Sequence, residues 1–254
     1  MIEVGERWAV IADCHGNADA LAATLTEIDR LGATRILNLG DHASGPLAAA
    51  ETLDLIMASS DMTSVRGNHD RYLLGDPATL APSDAVAYAE LTPDHLRWLA
   101  DLPATLRVDD LFLCHATPAR DDVYWLQDVT ATGQVVQRAR AEVDGFAADH
   151  MGEGIQIYLC GHTHVPGIVQ LSDGALVVNP GSVGLPGYDD DAPVPHVVES
   201  GDPAARFALI ERAQNGWQVE LRRVTYDASR MVGLALKHQR PGWARVLETG
   251  WYTT

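Results

Sequence analysis

Short apolar runs recur along the chain, and each stops at a polar residue. "WAVIA" (8–12) stops at Asp13, "RILNLG" (35–40) at Asp41 and "MTSVRG" (62–67) at Asn68. "LFLC" (111–114) stops at His115, "IQIYLCG" (155–161) at His162 and "ALVV" (175–178) at Asn179. Runs of this length, rich in Ile, Val and Leu, predict buried strands. Between them the apolar spacing turns helical. "ADALAATLTEIDRLG" (18–32) places Leu21, Leu25 and Ile28 on one face and ends at Gly32. "PLAAAETLDLIMAS" (46–59) opens on a proline that suits a first helical turn. "TPDHLRWLADLP" (92–103) has a capping Thr with Pro just inside, and "GQVVQRARAEVDGFAADH" (133–150) is a fourth helix candidate. Strand alternating with helix predicts an α/β fold, its sheet buried on both faces.

The pattern changes near the end. "ARFALIER" (205–212) and "WQVELRRVTYD" (217–227) flank Asn215-Gly216, a strong hairpin signal. A helix over "SRMVGLALKHQ" (229–239) should follow. "GLPGYDDDAPVPHVVESGDP" (184–203) is rich in Pro, Gly and Asp, has no period, and is expected as a long exposed loop. There are no internal repeats. The 254 residues suit one domain over 1–254 with a sizeable core.

Charge narrows the function classes. Lys plus Arg total 18 against 35 Asp plus Glu, a formal charge of −17. Such a surface opposes duplex nucleic acid binding, which is driven by Lys and Arg. It leaves phosphate chemistry open, because bound divalent ions can dominate the charge of a site. No apolar stretch approaches the roughly 20 residues of a membrane span. The acidic start and the three sparse cysteines, Cys14, Cys114 and Cys160, point to a cytoplasmic protein without a disulfide framework. Each cysteine lies beside a polar strand end, where it is expected as a small buried filler.

In open α/β sheets, ligands bind beyond the carboxyl ends of the strands. Five of the strands here end in Asp, Asp, Asn, His and His, and two carry a second candidate two residues on. The set is Asp13, His15, Asp41, Asn68, His115, His162 and His164. Imidazole with carboxylate oxygen suits Mn, Fe, Zn or Ni better than Mg or Ca alone. Seven groups exceed the needs of one ion and suit two that share a carboxylate. Taken alone, an Asp or Asn after a strand is more often a turn former or helix cap.

"DCHGN" (13–17), "GDHASG" (40–45), "GNHD" (67–70), "CHATP" (114–118) and "GHTH" (161–164), in this order, resemble the five motifs of the calcineurin-like metallophosphoesterases. "NPGSVGLP" (179–186) resembles the segment that follows them in small prokaryotic members. The resemblance implies an αββα four-layer sandwich of two mixed sheets with two divalent ions at one edge. It implies one ion on Asp13, His15 and His164, the other on Asn68, His115 and His162, and Asp41 between them. It makes His69 the general acid and Asp70 its orienting partner. Two such ions, roughly 3.5–4 Å apart, clamp an in-line displacement and provide hydroxide near neutral pH. Manganese is the first expectation for the metal.

The implied activity is hydrolysis of a small phosphodiester, with nucleotide-like substrates among the candidates. Phosphomonoesterases and dinucleoside polyphosphate hydrolases of the superfamily typically carry Asp-Arg-Gly after the second motif, which "GDHASGP" lacks. A non-catalytic scaffold remains the alternative from another class, and a homo-oligomer is open. Arg66 and His42 flank ligands and are candidate substrate contacts. "TPARDDVYWLQD" (117–128) follows His115, so Tyr124 and Trp125 could offer aromatic faces to substrate. The alternative is that both pack inward against the fourth helix. His95, His150, His196 and His238 have no partner at ligand spacing and are expected at the surface.

Overall fold

The computed structural model describes residues 2–252. Two five-stranded mixed sheets stack face to face. The first runs, in spatial order, Gly216–Val224 (β14), Ala205–Ala213 (β13), Arg7–Ile11 (β1), Arg35–Asn38 (β2) and Met62–Ser64 (β3). The second runs Thr105–Val108 (β4), Leu111–Cys114 (β5), Ile157–Leu159 (β8), Leu176–Asn179 (β10) and Gly167–Gln170 (β9). In each sheet the three consecutive strands nearest the site are parallel, β1–β2–β3 and β5–β8–β10. Antiparallel strands flank them.

Period-two alternation builds the layers. Trp8, Val10 and Ala12 meet Leu111, Leu113, Ile157 and Leu159 between the sheets. Ala9 and Ile11 face outward onto Leu21 and Ile28 of Ala18–Arg30 (α1) and Ile56 of Ala49–Ala58 (α2). On the other side Phe112, Cys114, Tyr158 and Cys160 pack on Val143 and Ala147 of Arg140–Ala147 (α6). The αββα sandwich is therefore present. Leu53 of α2 and Leu73 of Asn68–Leu73 (α3) join Ala87 of Pro82–Glu90 (α4) and Leu99 of Pro93–Asp101 (α5) in a further cluster. Thr92 caps α5 as its spacing predicts, accepting the His95 N–H at 3.2 Å.

Several elements depart from expectation. Residues 133–150 are not one helix: the β-branched pair Val135–Val136 lies in Val135–Gln137 (β7), paired with Gln127–Val129 (β6) before α6 begins. Segment 184–203 is not a structureless loop but holds a ribbon, Gly187–Asp190 (β11) against His196–Glu199 (β12). Pro46 precedes α2 rather than opening it. Two helices close the chain where one was expected, Ser229–Lys237 (α7) and Pro241–Thr249 (α8). No helix among the described residues is long and apolar enough to cross a membrane.

Candidate metal centre

Register brings the polar strand ends together. Ile11 lies opposite Asn38, so the turns after β1 and β2 leave the sheet side by side. There the Asp13 N–H donates to the Gly40 carbonyl and the His15 N–H to that of Asp41, both at 3.0 Å. In the second sheet Leu113 lies opposite Leu159, and the Gly161 N–H reaches the His115 carbonyl at 2.7 Å. The sheets meet at this edge. His115 Nδ1 donates to the Leu39 carbonyl at 2.8 Å, and the His162 N–H points at the Asp13 carboxylate at 3.1 Å.

Asp13, His15, Asp41, His162 and His164 all have left-handed backbones, with φ of 56, 46, 55, 68 and 58°. Asp and His tolerate this region better than most residues, yet each instance costs on the order of 1–3 kcal/mol. Nearby glycines let the turns close. A Cβ on Gly184 would stand 1.7 Å from the Cys14 carbonyl oxygen, and one on Gly67 would stand 2.2 Å from Asp41 Oδ1. Asn179 donates to the Gly161 carbonyl at 2.7 Å and to Thr163 Oγ1 at 3.1 Å, fixing the GHTH turn. Asn17 caps α1 and ties the DCHGN turn to the Gly184 carbonyl at 2.9 Å.

Two groups of ligand atoms result: Asp13 with His15 and His164, and Asp41 with His115 and His162. They adjoin. Asp41 Oδ2 is 3.2 Å from His115 Nε2 and 3.8 Å from His15 Nε2, so it reaches both groups. Asp13 Oδ1 stands 3.5 Å from His164 Nε2 and 3.9 Å from His115 Nε2. Asn68 is buried at the start of α3 and lines the same cleft.

The residues fit a pair of cations. Asn68 Oδ1 is buried without a hydrogen-bond partner, although such groups are nearly always satisfied, and the buried His115 Nε2 has only the Asp41 carboxylate at 3.2 Å. His15 Nε2 and His164 Nε2 face each other at 3.0 Å, while His164 Nδ1 donates to the Leu185 carbonyl at 2.6 Å. That second bond leaves the His164 Nε2 lone pair free for a metal. Among the described residues, the ion-pair partners of the buried Asp13 and Asp41 are histidines, with neither Lys nor Arg among them.

The electrostatics agree. Burial alone would raise Asp13 and Asp41, yet the surrounding imidazoles hold both below the usual carboxylate value. Burial, and then a neighbouring imidazole, pushes His15 and His162 down to about 3, which keeps them neutral as ligands must be. Burial also opposes charge on His115, but Asp41 and Asp13 prevail and lift it to about 10. The carboxylates thus demand positive charge where divalent ions would sit.

His69 lines the cleft beside this centre. Its Nδ1 bonds the buried Asp84 at 3.0 Å, and its N–H donates to Asp41 Oδ1 at 2.9 Å. Burial opposes its charge, but Asp41 and Asp84 raise it to about 9. Asp70 is not its partner. Asp70 accepts the backbone N–H groups of Asp41, His42 and Gly67 and bonds His42 Nδ1 at 2.7 Å. Residues i and i+1 of a helix do not face each other, so Asn68, His69 and Asp70 at the start of α3 diverge. Asp84, in the first turn of α4, follows no strand and carried no signal in the sequence. His42 is fully buried against Trp98 and Asp70 and does not line the cleft.

The expected substrate contacts divide. Trp125 is 1% exposed and its indole donates to the Val143 carbonyl at 3.0 Å, so it faces α6 and offers nothing to substrate. Its neighbour Tyr124 lines the cleft instead, its ring 5.2 Å from that of His162. Arg66 is not among the cleft residues. His196 is buried rather than exposed and takes the Tyr124 hydroxyl at 2.9 Å. His95 is also buried, within reach of Asp54 at 3.0 Å. Cys14, Cys114 and Cys160 are buried free thiols, pushed up by desolvation. The cleft holds about 770 Å³.

A turn-borne pair of ligand clusters at one edge of an αββα sandwich defines a metallophosphoesterase fold. The profile described as the calcineurin-like phosphoesterase superfamily domain matches residues 7–198, and the chain belongs to that superfamily. An uncharacterized protein of Methanocaldococcus jannaschii is 25% identical over 261 residues, spanning 92% of this chain and 94% of that protein. The crystal structure of a metallophosphoesterase from Sphaerobacter thermophilus superimposes with a TM-score of 0.74 at 23% identity, covering 97% of this chain and 100% of that one. A hypothetical protein from Pyrococcus horikoshii OT3 gives 0.73 at 18% identity, covering 96% and 98%. These two structures share the fold along nearly the whole chain.

Proposed function

We propose that the chain is a single-domain dinuclear phosphodiesterase acting on small phosphodiesters. Asp13, His15 and His164 would hold one ion and Asn68, His115 and His162 the other, with Asp41 within reach of both groups. The observation that carries this reading is the pair of adjoining buried clusters with Asn68 Oδ1 beside them left unsatisfied. When bound, the ions lower the pKa of water and neutralise phosphoryl oxygens. His69 holds a proton toward the leaving oxygen, and Asp84 fixes its ring through Nδ1.

The cleft favours a singly charged diester over a monoester dianion. Its two arginines are already engaged, Arg120 with Asp122 at 2.8 Å and Arg138 with Asp128 at 3.2 Å. Asp189 and Asp190 add negative charge to the rim, which repels a dianion more. The donor set suits Mn, Fe, Zn or Ni, and manganese is the metal to try first. The reduced cysteines suit a cytoplasmic setting.

The test compares bis-p-nitrophenyl phosphate with p-nitrophenyl phosphate on chelator-stripped protein before and after Mn²⁺. Diester hydrolysis should vanish with the metal, return with Mn²⁺, and exceed monoester hydrolysis. Full activity after verified metal removal overturns the metal mechanism. Faster monoester turnover overturns the diester preference.

A further inference from the structure

We infer that Trp243, together with Tyr72, forms a subsite for a flat aromatic leaving group beside His69. Trp243 sits on α8, far in sequence from every metal-ligand motif. Its ring lies edge-on to that of His15, 6.1 Å between centroids at 80°. His15 in turn stands 5.5 Å from His69, and His69 5.4 Å from Tyr72. Successive ring contacts thus link Tyr72 to His69, His69 to His15 and His15 to Trp243, and all four residues line the cleft.

The seat of Trp243 is built. A Cβ on Gly45 would stand 2.5 Å from Trp243 Cη2 and 2.7 Å from Cζ3, so the glycine that ends "GDHASG" makes room for the indole. The ring packs against a cluster that includes Ala18, Leu47, Met231 and Leu247. Arg240 Nε donates to Ser83 Oγ at 3.1 Å, which joins the start of α8 to the start of α4, one residue from Asp84. Trp243 is nevertheless only partly buried, and Tyr72 is 38% exposed. Two aromatic rings therefore leave apolar surface open beside a highly charged centre. A flat apolar group covers such surface favourably.

The position selects the leaving group. Hydrolysis forms a P–O bond from water and breaks the P–O bond to the leaving group. The leaving oxygen takes the proton of His69, and the proton lost by water passes to solvent. The departing group must then lie on the His69 side, where Tyr72 stands and where the Arg240–Ser83 bond brings the start of the Trp243 helix beside Asp84. This inference rests on the phosphodiesterase reading and on His69 as proton donor. It identifies the leaving group as an aromatic or heteroaromatic alcohol.

The test separates ring recognition from catalysis. Calorimetry measures binding of p-nitrobenzylphosphonate and of methylphosphonate to Mn²⁺-loaded protein; the P–C bonds of both resist hydrolysis. Wild type should bind the nitrobenzyl compound more tightly. Trp243→Ala should weaken it by about tenfold, the scale of a lost stacking partner, and leave methylphosphonate unchanged. Trp243→Phe, which keeps an aromatic anchor for α8, should lose less, and it replaces the alanine variant if that one does not fold. KM for bis-p-nitrophenyl phosphate should rise in step while bound metal stays constant. Equal weakening of both phosphonates means that Trp243 is only structural and overturns the inference, as does no weakening of either. Absence of any Mn²⁺-dependent hydrolysis by wild type defeats the phosphodiesterase reading instead, and the phosphonate comparison registers that outcome separately.

Discussion

At the scale of single residues, the proposed proton donor and its support are the sharpest point. His69 stands beside the candidate ligand Asn68, but the carboxylate that holds its ring comes from α4. His69→Asn should keep its metal yet slow diesters of poor alkoxide leaving groups by about 10²–10⁴-fold, the usual effect of a lost general acid. The defect should shrink for p-nitrophenolate, which departs without a proton. Asp84→Asn should show the same leaving-group pattern at about 10–100-fold, the scale of a lost outer-shell partner. Rates for methyl and p-nitrophenyl leaving groups, measured on each variant, decide this. A uniform loss on both would remove Asp84 from the orienting role. The seven candidate ligand positions were legible because five end an apolar run and two lie two residues further on. Asp84 was not, since an acid in a first helical turn looks like an ordinary dipole partner.

At the scale of elements, the turns after the parallel strands carry the centre, and Asp70 braces two of them. Its carboxylate gathers three backbone N–H groups from the turns at 40–42 and 67. Asp70→Ala would leave these donors buried without acceptors, each costing about 1–3 kcal/mol. Stability by denaturant unfolding should therefore fall by about 3 kcal/mol or more. The preference among leaving groups should stay as in wild type. A changed leaving-group preference with stability intact would restore Asp70 to the role the motif implied. The β11–β12 ribbon belongs to the same scale. Its Tyr188 ring packs 4.7 Å from that of His164, so a segment whose composition looks like loop walls one side of the site.

For the whole molecule, the two sheets converge on a buried cluster of acids whose described ion-pair partners are imidazoles. Ions that bind only the folded chain must stabilise it, by about 2.7 kcal/mol when free ion is 100 times its Kd. Calorimetric melting of stripped protein should shift upward as Mn²⁺ is added and return on chelation. An unchanged Tm across the titration would argue against metal at this edge. The formal charge of −17 sits easily with phosphate chemistry on this view, because divalent ions rather than surface cations meet the phosphate.

Alternation and strand-end chemistry follow from local rules, so the chain alone determined the α/β alternation, the two-faced strands and the seven candidate ligand positions. The closing hairpin and the inert, buried cysteines belong with these. Each depends only on which way successive side chains point along one element. The partners across elements did not follow. That Trp125 turns to α6, that Asp84 rather than Asp70 meets His69, and that Trp243 returns from α8 to His15 were settled by packing. The physical reason is range. A period of two or 3.6 residues assigns a face, whereas the residue lying opposite that face is decided by how separate elements dock around a shared core.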